Sequence, residues 1–516
     1  MRTHPDTYIT FVDLSAVDGC LLAEQVVGRA EKHPANPVII PGDAEAWDSD
    51  RASNWAASIA WDPMQRQFTA WYYGTDRGST VSFETERHSS IGYAVSDDGV
   101  VWEKPRIGLY EFRGSKDNNI CFRPDGADAS HFCVLIDPDA VDDRRYQALT
   151  WMPVADGGGE SAGNVFEGVT RRMRYVPHYS RDGIHWQRSG DGVDWPDGDT
   201  GHLFIDPSAP ADGRIKAYGQ HSVGAGPDIE HLVKQAQLPI DPQEGAEHEI
   251  HFVYVLPQAG GYVMLYDFNR YRPFHGHLGY THQGSLNMTR QDRIKARVAL
   301  RRGELPAEPV ADAYGIYTGD IRLAVSASAL GPFQRVQPRV PVVARGGRGE
   351  WDSGFLVLGG GSAIEHEDRI LLFYTGLNES SAATFTGPAS GRVCTGLATL
   401  RKDGFASLQA ADPVAPGEVT THPIEVADGG AVRLTVNLDH AIPWRDWIEV
   451  EVLDARTLQP IPGYGAADAR PLMADSIAAP VAWREHRTLA GVGAGPILLR
   501  FHLYGGAQLY SFTFAP

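Results

Sequence analysis

"SIAWDPMQRQFTAWYYG" (residues 58–74) runs apolar, breaks at Asp62-Pro63, crosses a polar turn and returns as a second strand rich in aromatics. The same order recurs in "CVLIDPDAVDDRRYQALTW" (133–151) and "LFIDPSAPADGRIKAYGQ" (203–220). Without the Asp-Pro it returns in "FVYVLPQAGGYVMLYDF" (252–268) and "SAIEHEDRILLFYTG" (362–376). One strand–turn–strand unit cannot bury its own faces, so five in succession mark a repeat architecture. A second signature follows two of them: "YAVSDDGVVWEK" (93–104) and "YSRDGIHWQR" (179–188) share Ser-x-Asp-Gly-x-x-Trp, and "LAVSASALGPFQRV" (323–336) is a degraded third copy. Asp-Gly supplies a hairpin turn, and the Trp is expected to pack back between neighbouring sheets.

With its hairpins each unit holds about four strands, the content of a propeller blade. The chain therefore reads as all-β. Residues 1–402 are expected to form a five-bladed β-propeller and residues 403–516 a C-terminal β-sandwich. The sandwich is read from period-two alternation in "AVRLTVNLD" (431–439), "WIEVEVLDA" (447–455) and "PILLRFHLYG" (496–505). The segment 269–316 interrupts the fourth unit and is the most basic part of an acidic chain; apolar spacing predicts a helix over 285–302. The stretch 221–248 reads as a loop, and "YITFVDL" (8–14) as a strand pairing with the last blade to close the ring.

With 46 Lys and Arg against 65 Asp and Glu the net charge is −19, and no basic stripe stands out, which argues against nucleic acid and anionic membranes as partners. No apolar run is long enough to span a bilayer. The four cysteines, Cys20, Cys121, Cys133 and Cys394, lack metal spacing and read as free thiols. Together with the lack of a signal-like start, they place the expectation in the cytoplasm.

In a propeller the innermost strands begin at one end of a central channel, so carboxylates just before them converge. Before the first unit stand Trp47, Asp48, Asp50, Arg51 and Trp55; before the second, Asp128 and His131. "GDTGHLFID" carries Asp199 and His202, "GAEHEIHFVYV" carries Glu249 and His251, and "GRGEWDSGFLVL" carries Trp351 and Asp352. Such a ring suits glycoside cleavage, which needs one protonated carboxyl and one ionised carboxylate across the bond. The tryptophans offer flat faces for a sugar, and the histidines read as hydrogen-bond partners for its hydroxyls or for a channel ion. The Gly359-Gly360-Gly361 run reads as a close strand approach to the axis.

At these residues the sequence resembles the five-bladed propeller glycosidases, the superfamily of glycoside hydrolase families 32, 68 and 43. "HPANPVIIPGD" (33–43) is similar to their lead-in and the two Asp-Gly hairpins to their blade turns. The resemblance implies a glycosidase or transglycosidase acting on a furanoside, fructofuranosidase-like or arabinofuranosidase-like. It implies Asp50 as nucleophile or base, Asp199 as the second acid and Glu249 as the general acid. Substrate contacts would then come from Trp47, Asp48, Arg51, Trp55, His131, His202, His251, Trp351 and Asp352. The chain departs from the family in lacking a true Arg-Asp-Pro, so it reads as a divergent branch. No cofactor is expected, with a channel-bound calcium left open; the partner is a carbohydrate, and a homo-oligomer is compatible. A glycoside phosphorylase, with Arg51, Arg270 and Arg272 as a phosphate pocket, and a non-catalytic carbohydrate-binding propeller are the alternatives.

Overall fold

The computed structural model describes residues 8–76, 89–123, 131–153, 164–166, 169–171, 173–193, 201–219, 222–237, 240, 250, 252–271, 317–347, 349–378, 393–426, 432–493 and 495–515. Antiparallel pairing groups the described strands of the first part of the chain into five four-stranded arrays, here called blades I to V; II and III are separate sheets, and parallel bridges join IV, V and I into one twelve-stranded sheet. Blade I is Arg51–Asp62, Gln67–Thr75, Ser90–Ser96 and Ile120–Phe122. Blade II is Phe132–Ile136, Tyr146–Pro153, Met173–Ser180 and Trp186–Arg188. Blade III is His202–Ile205, Ile215–Tyr218, Ser222–Gly226 and Val233–Gln237. Blade IV is Val253–Gln258, Gly261–Tyr271, Tyr317–Ser326 and Gln334–Arg335. Blade V is Phe355–His366, Arg369–Leu377 and Val393–Arg401, completed by Glu31–Lys32 from the chain's beginning.

Two of these pairings correct the sequence reading. The last two strands of blade III lie within 221–248, which reads as a loop because "SVGAG" has no side-chain alternation to show; the ladder is made by its backbone. The strand Tyr8–Thr10 pairs with Gln508–Ala515 of the C-terminal sheets, so Glu31–Lys32 and not this segment closes the ring. The helix expected over 285–302 lies outside the described residues. The flanks of the insertion pair residue for residue, up to Tyr271 opposite Tyr317.

The innermost strands are laced to one another around the axis. Ser58 Oγ donates to the Phe132 carbonyl (3.3 Å) and accepts the Val134 N–H (2.8 Å), tying blade I to II. Cys133 Sγ donates to the Gly201 carbonyl, tying II to III. His202 Nε2 donates to Val255 O at 2.6 Å, and Tyr254 OH donates to Ala363 O at 3.0 Å, tying III to IV and IV to V. Blade V returns to blade I through a parallel bridge at Gly360–Ser58. Here glycine is required: a Cβ on Gly359 would stand 1.6 Å from Asn54 O, and one on Gly361 1.6 Å from Ile59 O.

The Asp-Pro grammar has a mechanical explanation. Asp62 accepts the N–H groups of Met64 and Gln65 in its own turn and the Tyr146 hydroxyl of blade II. Asp137 caps its turn through Asp139 N and pairs with Arg214 of blade III at 3.0 Å. Asp206 does the same with Ser208 N and takes the Tyr262 hydroxyl of blade IV at 3.0 Å. One acid thus closes a turn and locks the next blade. In the Ser-x-Asp-Gly-x-x-Trp copies, Asp98 and Asp182 each accept two backbone N–H groups, and Gly99 and Gly183 take φ of +74° and +75°. Trp102 then packs edge-on against Phe373 of blade V, and Trp186 against Trp71 of blade I. In the degraded copy Phe333 fills that place, packed with Phe204 and Tyr218 of blade III.

The second part is a two-layer sandwich. One sheet runs Ala23–Val27, Ala406–Ala410, Gln508–Ala515, Arg433–Asp439, Ser476–Pro480; the other joins Val17–Leu21, Gly417–Thr421, Gly495–Tyr504, Ile424–Val426 and Trp447–Asp454. Phe11, Phe501, Phe512 and Trp483 fill its core. Cys20 lies exposed on it, whereas Cys121, Cys133 and Cys394 are buried in the propeller. Burial pushes the Cys133 thiol up to about 12 and the Cys121 thiol up as well. A thiol reagent is therefore expected to modify one cysteine in the native protein and four in denaturant; three or more reacting rapidly in the native state would contradict this placement.

Candidate functional site

The first strands of blades I and V run parallel, bridged at Gly360–Ser58, and candidate residues stand at their starts. Asp50 immediately precedes the first of them, half-buried, with its N–H donating to Thr75 O at 2.9 Å. Gly354 holds the matching place in blade V, its N–H donating to Leu377 O, also at 2.9 Å. The next residues are Arg51 in blade I and Phe355 in blade V. The repeat departs from here onward: where blade V carries Gly-Phe, blade I carries Asp-Arg.

Just before this step the two blades agree side chain for side chain. Trp47 stacks on Tyr72 (5.6 Å) and donates from Nε1 to Asn119 Oδ1 (2.9 Å). The Tyr72 hydroxyl donates to Asp48 (2.8 Å), which also holds Lys104 Nζ at 2.6 Å. In blade V, Trp351 stacks on Tyr374 (5.8 Å), the Tyr374 hydroxyl donates to Asp352 (2.9 Å), and Lys32 Nζ stands 2.5 Å from that carboxylate. Asn36 matches Asn119, with Nδ2 3.4 Å from the Tyr374 hydroxyl. Burial and the adjacent carboxylate push both phenols well up. Glycines make room for the indoles: a Cβ on Gly74 or Gly92 would meet Trp47 at 2.4 or 2.6 Å, and one on Gly376 or Gly396 would meet Trp351 at 2.6 or 2.8 Å.

These twin clamps change the meaning of four expected substrate contacts. Trp47, Asp48 and Asp352 are 4%, 2% and 1% exposed, and Trp351 packs against the core. Their faces and oxygens are engaged by their own blades, so they position the strand entries and do not present a sugar platform. Asn54, at the next offset, is likewise structural: Nδ2 donates to Phe373 O (3.0 Å) and Oδ1 accepts from Thr375 (2.7 Å), stitching blade I to V.

Among the other expected residues, Arg51 lies over the rings of Trp55 (5.4 Å) and Tyr73 (5.6 Å). Trp55 in turn meets Phe252 of blade IV edge-on at 5.9 Å, so its indole reaches across the ring. His131 stands before the inner strand of blade II with φ +58° and its ring edge-on to Tyr175 at 6.2 Å. His202 is buried against Tyr254 (3.9 Å); desolvation lowers it to about 3, so it is a neutral channel brace. Asp128, Asp199, Glu249, His251, Arg270 and Arg272 fall where side chains lie outside the described residues. Sequence reasoning missed Asp267, fully buried on blade IV, whose carboxylate accepts the Phe252 N–H at 2.6 Å. Its only signal is a lone acid in the apolar run "YVMLYDF".

Among the described residues, the one His/Asp/Glu group with metal-like spacing is Asp228, Glu230 and His231 on blade III. Its members already serve each other: His231 Nδ1 bonds Asp228 (2.8 Å), and Glu230 accepts from Ser189 and faces Arg144 at 3.6 Å. No helix among the described residues is long and apolar enough to cross a membrane.

No protein family and no curated protein matches the chain. Solved structures do. One concerns the GH130 family of mannoside phosphorylases, containing glycoside hydrolases that target β-1,2-mannosidic linkages in Candida mannan; it is 13% identical over 72% of this chain and 94% of that one, TM-score 0.45. A glycosyl hydrolase from Bacteroides ovatus is 14% identical over 72% and 94%, TM-score 0.45. An endo-arabinase from Bacteroides thetaiotaomicron is 12% identical over 70% and 97%, TM-score 0.37.

Proposed function

We propose that the chain is a carbohydrate-active enzyme that cleaves a glycosidic bond at the strand-entry end of the propeller channel. The observation that carries this reading is the break in the repeat: Asp50 and Arg51 stand at the start of blade I's first strand, where the equivalent blade has Gly-Phe. A structural repeat has no need of a half-buried acid there, whereas glycoside cleavage does. In this scheme Asp50 is the nucleophile or base, Glu249 the general acid, and Asp199 the acid that stabilises the developing charge. Trp55, reaching from blade I toward blade IV, supports the sugar ring. A furanoside, fructosyl or arabinosyl, is the substrate favoured by the likeness of the lead-in and blade turns to the furanoside-cleaving propellers.

The test is hydrolysis of a panel of nitrophenyl furanosides and pyranosides, fructans and arabinans, with and without inorganic phosphate. Wild type, Glu249→Gln and Asp50→Asn are run side by side. Turnover is expected in wild type and is expected to fall at least about a hundredfold in each variant, the usual contribution of a positioned acid or base. Turnover unchanged in both variants would overturn these roles. Turnover that requires phosphate would replace hydrolysis with phosphorolysis, and silence across the panel in wild type would favour a binding protein.

A further inference from the structure

Arg51 is 4% exposed, and its Nε has no hydrogen-bond partner. It is the one cationic side chain on the five innermost strands among the described residues. Other cations around it have carboxylates of their own: Lys32 on Asp352 (2.5 Å), Lys104 on Asp48 (2.6 Å), Arg113 on Asp76 (3.1 Å) and Arg322 on Asp320 (2.7 Å). Among the described residues, Arg51 has the two aromatic faces of Trp55 and Tyr73 and no carboxylate. Those faces hold a guanidinium plane in place while leaving its in-plane N–H groups undirected. Two residues on, and so on the same face of the strand, Ser53 is fully buried with its hydroxyl also unpartnered. A charge taken out of water without an ion-pair partner is costly, and one kept so at the start of a blade's first strand is a place for an anion from outside.

We propose that Arg51 binds the carboxylate of a uronic-acid residue adjoining the furanosyl unit that is cleaved, so that the site takes a uronic-acid-containing glycan. The planar guanidinium fork matches a carboxylate in two parallel hydrogen bonds. One buried positive charge balances one carboxylate; a phosphate dianion would leave a negative charge uncompensated beside Asp50. That the glycan is also a substrate rests on the glycosidase reading; its binding does not, and is measured without turnover.

The experiment is calorimetric or tryptophan-fluorescence titration of the full chain with D-glucuronate, D-galacturonate, D-glucose, D-galactose and inorganic phosphate at fixed ionic strength. Wild type is compared with Arg51→Gln and Arg51→Lys, each checked for an unchanged melting profile. One uronate is expected to bind wild type at least tenfold more tightly than its neutral counterpart. The preference is expected to vanish in Arg51→Gln and to persist in part in Arg51→Lys. Equal affinity for acidic and neutral sugars in wild type, or no binding of either uronate, overturns the proposal, as does a preference that survives Arg51→Gln. Phosphate binding more tightly than both uronates would assign Arg51 to a free anion and equally overturn it. If Arg51→Gln does not fold, the wild-type comparison and Arg51→Lys decide. Absence of turnover with uronate binding intact would fault the glycosidase reading alone.

Discussion

Asp48→Ala and Asp352→Ala are each expected to lower the unfolding free energy by ~3 kcal/mol, the scale of breaking one partner out of a buried charged network. Each substitution strands a buried phenol, Tyr72 or Tyr374, and a lysine ammonium that have no other acid in the clamp. The two clamps share no hydrogen-bonding residue, so the double variant should lose about the sum of the two. About 6 kcal/mol is a large part of the 5–15 kcal/mol typical of a domain, and the double variant is expected to be largely unfolded near 37 °C. Denaturant titration followed by tryptophan fluorescence measures this directly, since Trp47 and Trp351 sit inside the clamps. Were these acids substrate ligands instead, their removal would weaken sugar binding and leave the unfolding midpoint in place.

The clamps also show what a repeat sequence reveals and what it conceals. "AWDSD" (46–50) and "EWDSG" (350–354), followed by "WYYGT" and "FYTGL", share Trp-Asp-Ser and then Tyr and Gly at the same offsets, and such agreement between blades is the mark of a structural part. An acid and a tryptophan before a strand look like a sugar site only while each blade is read alone. Set against blade V, blade I differs at Asp50-Arg51, and it is that difference, more than their chemistry, on which the proposed roles of these two residues rest. The Asp-Pro turns were legible for the same reason: Asp62, Asp137 and Asp206 recur because every blade needs its turn closed and its neighbour held. The glycine run 359–361 was legible because only glycine admits backbone at 1.6 Å from where a Cβ would stand.

What stayed hidden was held by backbone or by distance along the chain. Ser222–Gly226 joins blade III through its ladder alone, and glycine-rich sequence carries no periodicity to read. Tyr8–Thr10 pairs with residues 511–513, a choice set by the sandwich's need to cover Phe11, Phe501 and Phe512, which no local pattern announces. His202 was legible as a residue at the strand entry and illegible as a brace, because its role depends on the Val255 carbonyl of another blade.

That brace makes the protein acid-labile well above the pH at which its carboxylates titrate. His202 is lowered from 6.5 to about 3 by burial, and His178, buried in blade II beside Phe122 with Nδ1 on Val176 O, to about 4 by the same cause. Both are neutral in the fold and protonate near 6.5 once unfolded, so the unfolded chain binds more protons as pH falls. Their stabilisation is therefore fully present above about pH 6.5 and is lost as pH drops toward 4 and 3. At pH 4.5 each imidazole lies about two pH units below its unfolded value, worth ~2.7 kcal/mol apiece at 1.36 kcal/mol per unit, or about 5 kcal/mol together. Between pH 5 and 6 the slope of unfolding free energy against pH is expected to approach ~2.7 kcal/mol per unit, and His202→Gln should halve it while lowering stability at pH 7. Gln keeps an N–H for Val255 O but cannot take up the proton, so the pH slope separates titration from lost packing. A slope unchanged in His202→Gln would mean that His202 is not held neutral in the fold and contributes no proton uptake on unfolding.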